Sequence, residues 1–163
     1  MKSTTRVGMA ELRIVKNNEI LVSMGIGSCV VVALYDGVEK IAGLVHIMLP
    51  YCNRARDNPN PLKFADTGIE ELIRQMVDAG ADRRRLVAKI AGGAQMFSSL
   101  NSFNKEILAI GDRNVEAVIR TLDENGIRII AQETGGNFGR SIEFHSDSGI
   151  MFIRTVGHES KQI

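Results

Sequence analysis

Ile20-Leu21-Val22-Ser23-Met24-Gly25-Ile26-Gly27-Ser28-Cys29-Val30-Val31-Val32-Ala33-Leu34-Tyr35 decides how the chain is read. Two short apolar runs rich in β-branched residues flank a central break, and each run reads as a strand. Gly25 and Gly27, at alternate positions, interrupt what would otherwise be one long strand. A glycine in a strand marks a bulge, or a place where another group approaches the backbone closely. The residue delivered on the far side of the break is Cys29. A thiolate attacks a carbonyl carbon well at neutral pH, and a free cysteine is also a common small buried residue of a core strand. The stretch alone leaves both roles open for Cys29.

Outward from this break, the first third of the chain is β. Leu12–Lys16 reads as a strand, Asn17-Asn18 as a turn, and Glu19–Met24 as the strand entering the break. Asp36-Gly37 is a hairpin signal, after which Lys40–Leu49 returns as a strand and stops at Pro50. A meander or pair of hairpins is the expectation. Residues 51–61 form a Pro/Asn-rich loop. Ile69, Leu72, Ile73, Met76 and Val77 then lie on one helical face, with Asp66 or Thr67 as the starting cap and Gly80 after the end. A strand at Leu86–Ala91 closes on Gly92-Gly93, and Ser98–Lys105 reads as an exposed excursion. Val115, Val118, Ile119 and Leu122 define a second helix, followed by a strand at Ile127–Gln132 and a glycine-rich loop at 134–140. A last hairpin joins Ser141–His145 to Ile150–Val156. Some nine strands and two single-striped helices predict an α+β domain of two stacked sheets with helices on one outer face. The whole of residues 1–163 is expected to be one domain.

Composition narrows the function. Twenty Lys+Arg against 19 Asp+Glu give a net charge of +1, with no overall pull toward nucleic acid or anionic membrane. No apolar run approaches the roughly 20 residues that span a bilayer. The start, Met1-Lys2-Ser3-Thr4-Thr5-Arg6, leads into no signal core, so a cytoplasmic protein is expected. Cys29 and Cys52, the two cysteines, make neither a disulfide framework nor a CxxC pair. Neither Gly92-Gly93 nor Thr134-Gly135-Gly136-Asn137 matches a phosphate or dinucleotide fingerprint, and Arg83-Arg84-Arg85 reads as a solvated turn.

Cysteine chemistry needs a proton acceptor, since a thiol of pKa about 8.5 is only slightly ionised at neutral pH. His46 lies in the apolar strand Gly43-Leu44-Val45-His46-Ile47-Met48-Leu49, where an unpartnered imidazole is costly. It is therefore either a partnered core histidine or the base for Cys29. His145 and His158 read as surface residues. The backbone around Gly27 and Ser28 is free to supply oxyanion donors. Ser23 is a hydroxyl that orients the histidine or binds substrate, or else a strand-end hydroxyl on the solvent side.

These residues fall within an ordered set of motifs. They are Gly25-Ile26-Gly27-Ser28-Cys29-Val30, the 42–50 strand ending His46-Ile47-Met48-Leu49-Pro50, and Lys63-Phe64-Ala65-Asp66-Thr67. Ala88–Phe97, Ile110-Gly111-Asp112-Arg113-Asn114-Val115 and the Glu133–Arg140 loop follow. In this order, over residues 8–157, they resemble the CheD family of chemoreceptor glutamine deamidases. The resemblance implies hydrolysis of receptor glutamine side chains to glutamate, with no metal or organic cofactor. It implies Cys29 as nucleophile and His46 as base. The third polar residue, six positions before the cysteine, is usually threonine in that family and is Ser23 here. The implied fold is the three-layer α/β/β sandwich shared with the cytotoxic necrotizing factor toxins. The implied partners are methyl-accepting chemotaxis receptors as substrate and the phosphatase CheC. Two other readings stand beside this one: a regulatory binding module for receptors and CheC, and a general cysteine hydrolase of small amides. A protein substrate calls for a shallow cleft and a small amide for a deep one.

Overall fold

The computed structural model describes residues 2–53, 60–96 and 109–163. Its organising strands are β4 (Val30–Asp36) and β5 (Ile41–Ile47), a hairpin with His46 opposite Val31 and Asp36 opposite Ile41. Both run almost unbroken through apolar residues because both faces are covered. Val30, Val32 and Leu34 of β4, with Val45 and Ile47 of β5, face a helical layer; Val31, Ala33, Ala42 and Leu44 face a second sheet. Alternation therefore sends His46 toward the second sheet.

The first sheet is completed by β2 (Leu12–Lys16), β6 (Val87–Gly92) and β7 (Arg128–Thr134), in the order β2-β5-β4-β6-β7. The second contains β1 (Thr4–Arg6), β3 (Ile20–Ile26), β8 (Arg140–His145), β9 (Met151–Arg154) and β10 (Lys161–Gln162), in the order β1-β3-β8-β9-β10. Each sheet has one parallel pairing, β6 with β7 and β1 with β3, among antiparallel ones. Helices α1 (Ala65–Asp78) and α2 (Ile110–Glu124) cover the outer face of the first sheet through Ile69, Leu72, Met76, Val118 and Leu122. The result is the expected α+β sandwich in three layers, helices, sheet, sheet.

Several local expectations are corrected. Asn17 and Asn18 both adopt left-handed backbone and carry the chain from one sheet to the other, so β2 and β3 are not a hairpin. Among the described residues there are ten strands, because the short pieces β1 and β10 give little sequence signal. Neither Asp66 nor Thr67 caps α1; Phe64 occupies the cap position, Asp66 accepts from the Cys52 amide and Thr67 donates to the Pro61 carbonyl. The Arg83–Arg85 cluster is a single 3-10 turn rather than a purely solvated one. Arg85 pairs with the fully buried carboxylate of Asp36, which also accepts from three backbone amides. His145 is half-buried beside Lys2, whereas His158 is exposed. The buried stripe of α2 is Gly111, Asn114, Ala117, Val118, Thr121 and Leu122, with Ile119 exposed. The Ser98–Lys105 excursion and residues 54–59 of the loop lie outside the described residues.

Candidate active site

A bulge builds the site. Ser23 pairs with Ile142 and Ile26 with Arg140, so β3 spends one residue more than β8 across this interval. Gly25 supplies the left-handed conformation there, at φ +65°. The extra residue resets the alternation: Leu21 and Ser23 point inward, and inward pointing resumes at Ile26. Beyond Ile26 the chain leaves the second sheet, turns through Gly27-Ser28-Cys29 and enters β4 of the first. The break thus carries the chain between the two sheets, and Cys29 stands where it arrives. Cys29 is half-buried, packs on the inter-sheet core, and lies two residues ahead of Val31, the cross-strand partner of His46.

His46 and Ser23 meet across the gap between the sheets. Ser23 Oγ lies 2.8 Å from His46 Nδ1 and 2.8 Å from the Val7 carbonyl oxygen. Both residues are buried. A carbonyl only accepts, so the single hydroxyl proton of Ser23 goes to Val7; Nδ1 must then carry the imidazole proton and donate to Oγ. This tautomer leaves Nε2 unprotonated, and Nε2 has no partner among the described residues. An imidazole held through Nδ1, with a free lone pair on Nε2, is the arrangement a general base requires.

Burial sets the protonation states. It pushes the His46 imidazole down to about 4. It pushes the Cys29 thiol up, only partly opposed by the residue's own amide. Both effects favour the neutral forms, thiol and imidazole. Ser23 orients the ring with a neutral oxygen and adds no charge to hold an imidazolium.

The turn carrying Cys29 is fixed through its carbonyls. Gly27 O accepts from the Ala94 amide at 2.9 Å, Ser28 O from Asn114 Nδ2 at 2.9 Å, and Cys29 O from the Gly93 amide at 2.8 Å. The amides of Gly27, Ser28 and Cys29 have no backbone acceptor among the described residues. Gly92 lies against this turn at φ +117°, where an added Cβ would fall 2.3 Å from Cys29 O. Gly111, opening α2, packs as closely on the carbonyls of Gly93 and Ala94.

The structure brings Ser23 and His46 into direct contact and places Cys29, Gly27 and Ser28 on the adjoining turn. It does not place Ser23 in solvent, as one of its readings had it. Cys52 lies apart, its amide on Asp66 at the start of α1. Asn114 is a residue the functional reading passed over, although it stands in one of the quoted motifs. The signal was an asparagine inside a helix, where its short amide competes with the backbone and is unfavourable unless it is used. A groove of about 800 Å³ between α2 and β7, lined by residues such as Val115, Ile119 and Ile129, holds neither Cys29 nor His46. Its size therefore says nothing about this chemistry. Among the described residues, no cluster of three or more His, Cys, Asp or Glu side chains could hold a metal ion. No helix among them is long and apolar enough to cross a membrane.

Comparison with known families matches residues 48–155 to the family described as CheD chemotactic sensory transduction. A protein of Caldanaerobacter subterraneus subsp. tengcongensis is 54% identical over 158 residues, 97% of this chain and 96% of its own length. The chain belongs to the CheD family. That relative is named a probable chemoreceptor glutamine deamidase CheD. So are one of Lachnoclostridium phytofermentans, 47% identical over the full length of both chains, and one of Moorella thermoacetica, 46% identical over 97% of this chain and 94% of its own. Among solved structures, Bacillus licheniformis hypothetical protein YfiH aligns with TM-score 0.47 and 14% identity over 76% of this chain and 49% of that one. The family membership rests on the sequence relatives.

Proposed function

We propose that this chain is a cysteine-dependent protein-glutamine deamidase acting on chemotaxis receptors. The observation that carries the reading is the buried Ser23–His46 contact on the strand beside Cys29, which leaves Nε2 free as an acceptor. The names borne by CheD relatives supply the substrate class.

His46 Nε2 takes the proton from Cys29 Sγ as sulfur attacks the carboxamide carbon of the target glutamine. The carbonyl π-electrons move to oxygen, and the backbone amides of Gly27, Ser28 and Cys29 are the proposed donors to that oxyanion. The tetrahedral adduct collapses as the C–N bond breaks, and the imidazolium returns its proton to the departing nitrogen. Ammonia leaves and a glutamyl thioester stays on Cys29. His46 then deprotonates a water, which adds to the thioester carbon. The C–S bond breaks, sulfur recovers the proton, and glutamate is released. Ser23 keeps the Nδ1 proton in place through both cycles. Every proton transfer in the cycle runs between Cys29, His46, substrate and water.

The receptor gains a carboxylate for each carboxamide lost, a local charge change able to alter how its helices pack and signal. The proposal includes a cytoplasmic site of action, where the receptor segment would be met, and CheC as a regulatory partner. In the test, a purified receptor cytoplasmic domain is incubated with wild type, Cys29→Ala or His46→Ala. Released ammonia is measured, and mass spectrometry locates each carboxamide converted to carboxylate. Conversion by wild type alone is expected. Conversion at the wild-type rate by Cys29→Ala refutes the mechanism. A silent wild type that still binds receptor or CheC transfers the reading to the binding module.

A further inference from the structure

The three carbonyls of the nucleophile turn are held in three places, and only one of the holders is a side chain. Asn114 is fully buried on α2, and its Nδ2 donates two hydrogen bonds of 2.9 Å, to Ser28 O and to Met48 O. The first acceptor belongs to the residue just before the proposed nucleophile. The second lies two residues beyond the proposed base. The amide cannot be turned over, because Oδ1 would then face two carbonyl oxygens. Oδ1 itself has no partner among the described residues, so the side chain is spent on its two donor bonds.

A trans peptide sets its C=O and N–H on opposite sides of one plane. With Ser28 O drawn inward to Asn114, the Cys29 amide of the same peptide is turned the other way, beside its own thiol. The backbone interaction that lowers the Cys29 pKa is with this same residue. We infer that Asn114 is a positioning residue of the deamidase. It locks the Ser28–Cys29 peptide so that the Cys29 N–H serves the oxyanion, and ties that peptide to the strand end that carries His46. The inference rests on the Cys29–His46 reading proposed above.

The test measures kcat and KM for ammonia release from a purified receptor cytoplasmic domain by wild type, His46→Ala, Asn114→Asp and Asn114→Ser, corrected for the folded fraction seen by thermal melting. Asn114→Asp keeps the size and removes both donors. The expected result is that Asn114→Asp lowers kcat per folded molecule by about tenfold or more, the scale on which small misplacements act, with KM within a few-fold of wild type. A merely structural role would lower the folded fraction and leave kcat per folded molecule unchanged. If His46→Ala abolishes turnover and Asn114→Asp keeps the wild-type kcat, the inference about Asn114 is overturned and the dyad stands. If His46→Ala turns over like wild type, the dyad reading fails and the inference fails with it. Should Asn114→Asp not fold, Asn114→Ser, which keeps one donor, is expected to give an intermediate kcat; a wild-type kcat there overturns the inference equally.

Discussion

Replacing Ser23 by alanine separates a structural hydroxyl from a catalytic one. In the folded protein this oxygen makes two buried contacts of 2.8 Å, one to the Val7 carbonyl and one to His46 Nδ1. Alanine leaves the carbonyl without a donor and the N–H without an acceptor. Each stranded group costs about 1–3 kcal/mol, so a combined loss of about 2–6 kcal/mol is expected. For a chain of this size that corresponds to a melting temperature lower by about 4–24 °C. The catalytic loss is separate from this. Without Oγ, nothing in the site holds the proton on Nδ1, and tautomers with Nε2 already protonated cannot act as base. Correct general-base function contributes about 10²–10⁴-fold. The kcat for receptor deamidation, corrected for folded fraction, should therefore fall at least about a hundredfold. Ser23→Thr keeps the hydroxyl and adds one methyl to a buried position, so it should keep kcat within a few-fold while losing about 1–3 kcal/mol to overpacking. Urea unfolding supplies the stabilities, and ammonia release under saturating receptor supplies kcat. If Ser23→Ala melts early yet turns over at the wild-type kcat, the hydroxyl only holds the sheets together and the orienting role is wrong.

Two further outcomes test the packing and the electrostatics. Gly92→Ala forces a side chain into left-handed backbone and onto Cys29 O; a stability loss of about 1–3 kcal/mol or more is expected from the strain, together with weakened activity as the turn shifts. A variant as stable and active as wild type would show that the turn yields freely. The second outcome concerns pH. His46 has a folded pKa of about 4 against 6.5 for a free imidazole, so between these values the unfolded state binds more protons than the folded one. Stability contributed by keeping this ring neutral is complete above the unfolded value, and falls as pH drops from there toward about 4. The full difference is about 3 kcal/mol. Denaturation measured from neutral pH to mild acid should show this slope in wild type and lose it in His46→Leu; parallel curves would assign the slope to other groups.

The residues proposed to carry the chemistry were easier to read than the surroundings that position them. Unbroken apolar strands at β4 and β5 already required cover on both faces, which is the middle layer of the sandwich. The Gly25-x-Gly27 break announced the bulge, and a histidine among Val, Ile and Met announced a partner. The burial of Ser23 was not legible, because a serine in a strand has the same local signature on either face and only the neighbouring sheet decides. The transfer of β3 to the second sheet was hidden for the same reason: adjacent strands with a two-residue asparagine turn look like a hairpin unless their long-range partners are known. Helix α2 was rotated from its predicted face because its buried stripe uses Gly111, Asn114 and Thr121, while Ile119 borders the groove. Hydrophobic periodicity overlooks a buried face whose task is hydrogen bonding.

The electrostatics of the proposed dyad set how its thiol would behave when no substrate is bound. In many cysteine hydrolases a nearby positive charge lowers the thiol pKa and stores the thiolate. Here burial raises the Cys29 pKa and lowers that of His46, and Ser23 brings no compensating anion. Separated charges are thus disfavoured at rest, and proton transfer is useful only when it is coupled to attack on a carbonyl whose developing oxyanion meets the turn amides. A half-buried thiol held as a thiol is a weak target for oxidants and stray electrophiles, since the thiolate is the reactive form. On the proposed mechanism the activating interaction comes from the substrate, through the oxyanion it presents to the amides of residues 27–29. The orientation of the Ser28–Cys29 peptide is then the quantity on which rate depends, and the inference drawn for Asn114 gives a buried helix residue control of a reaction it never touches.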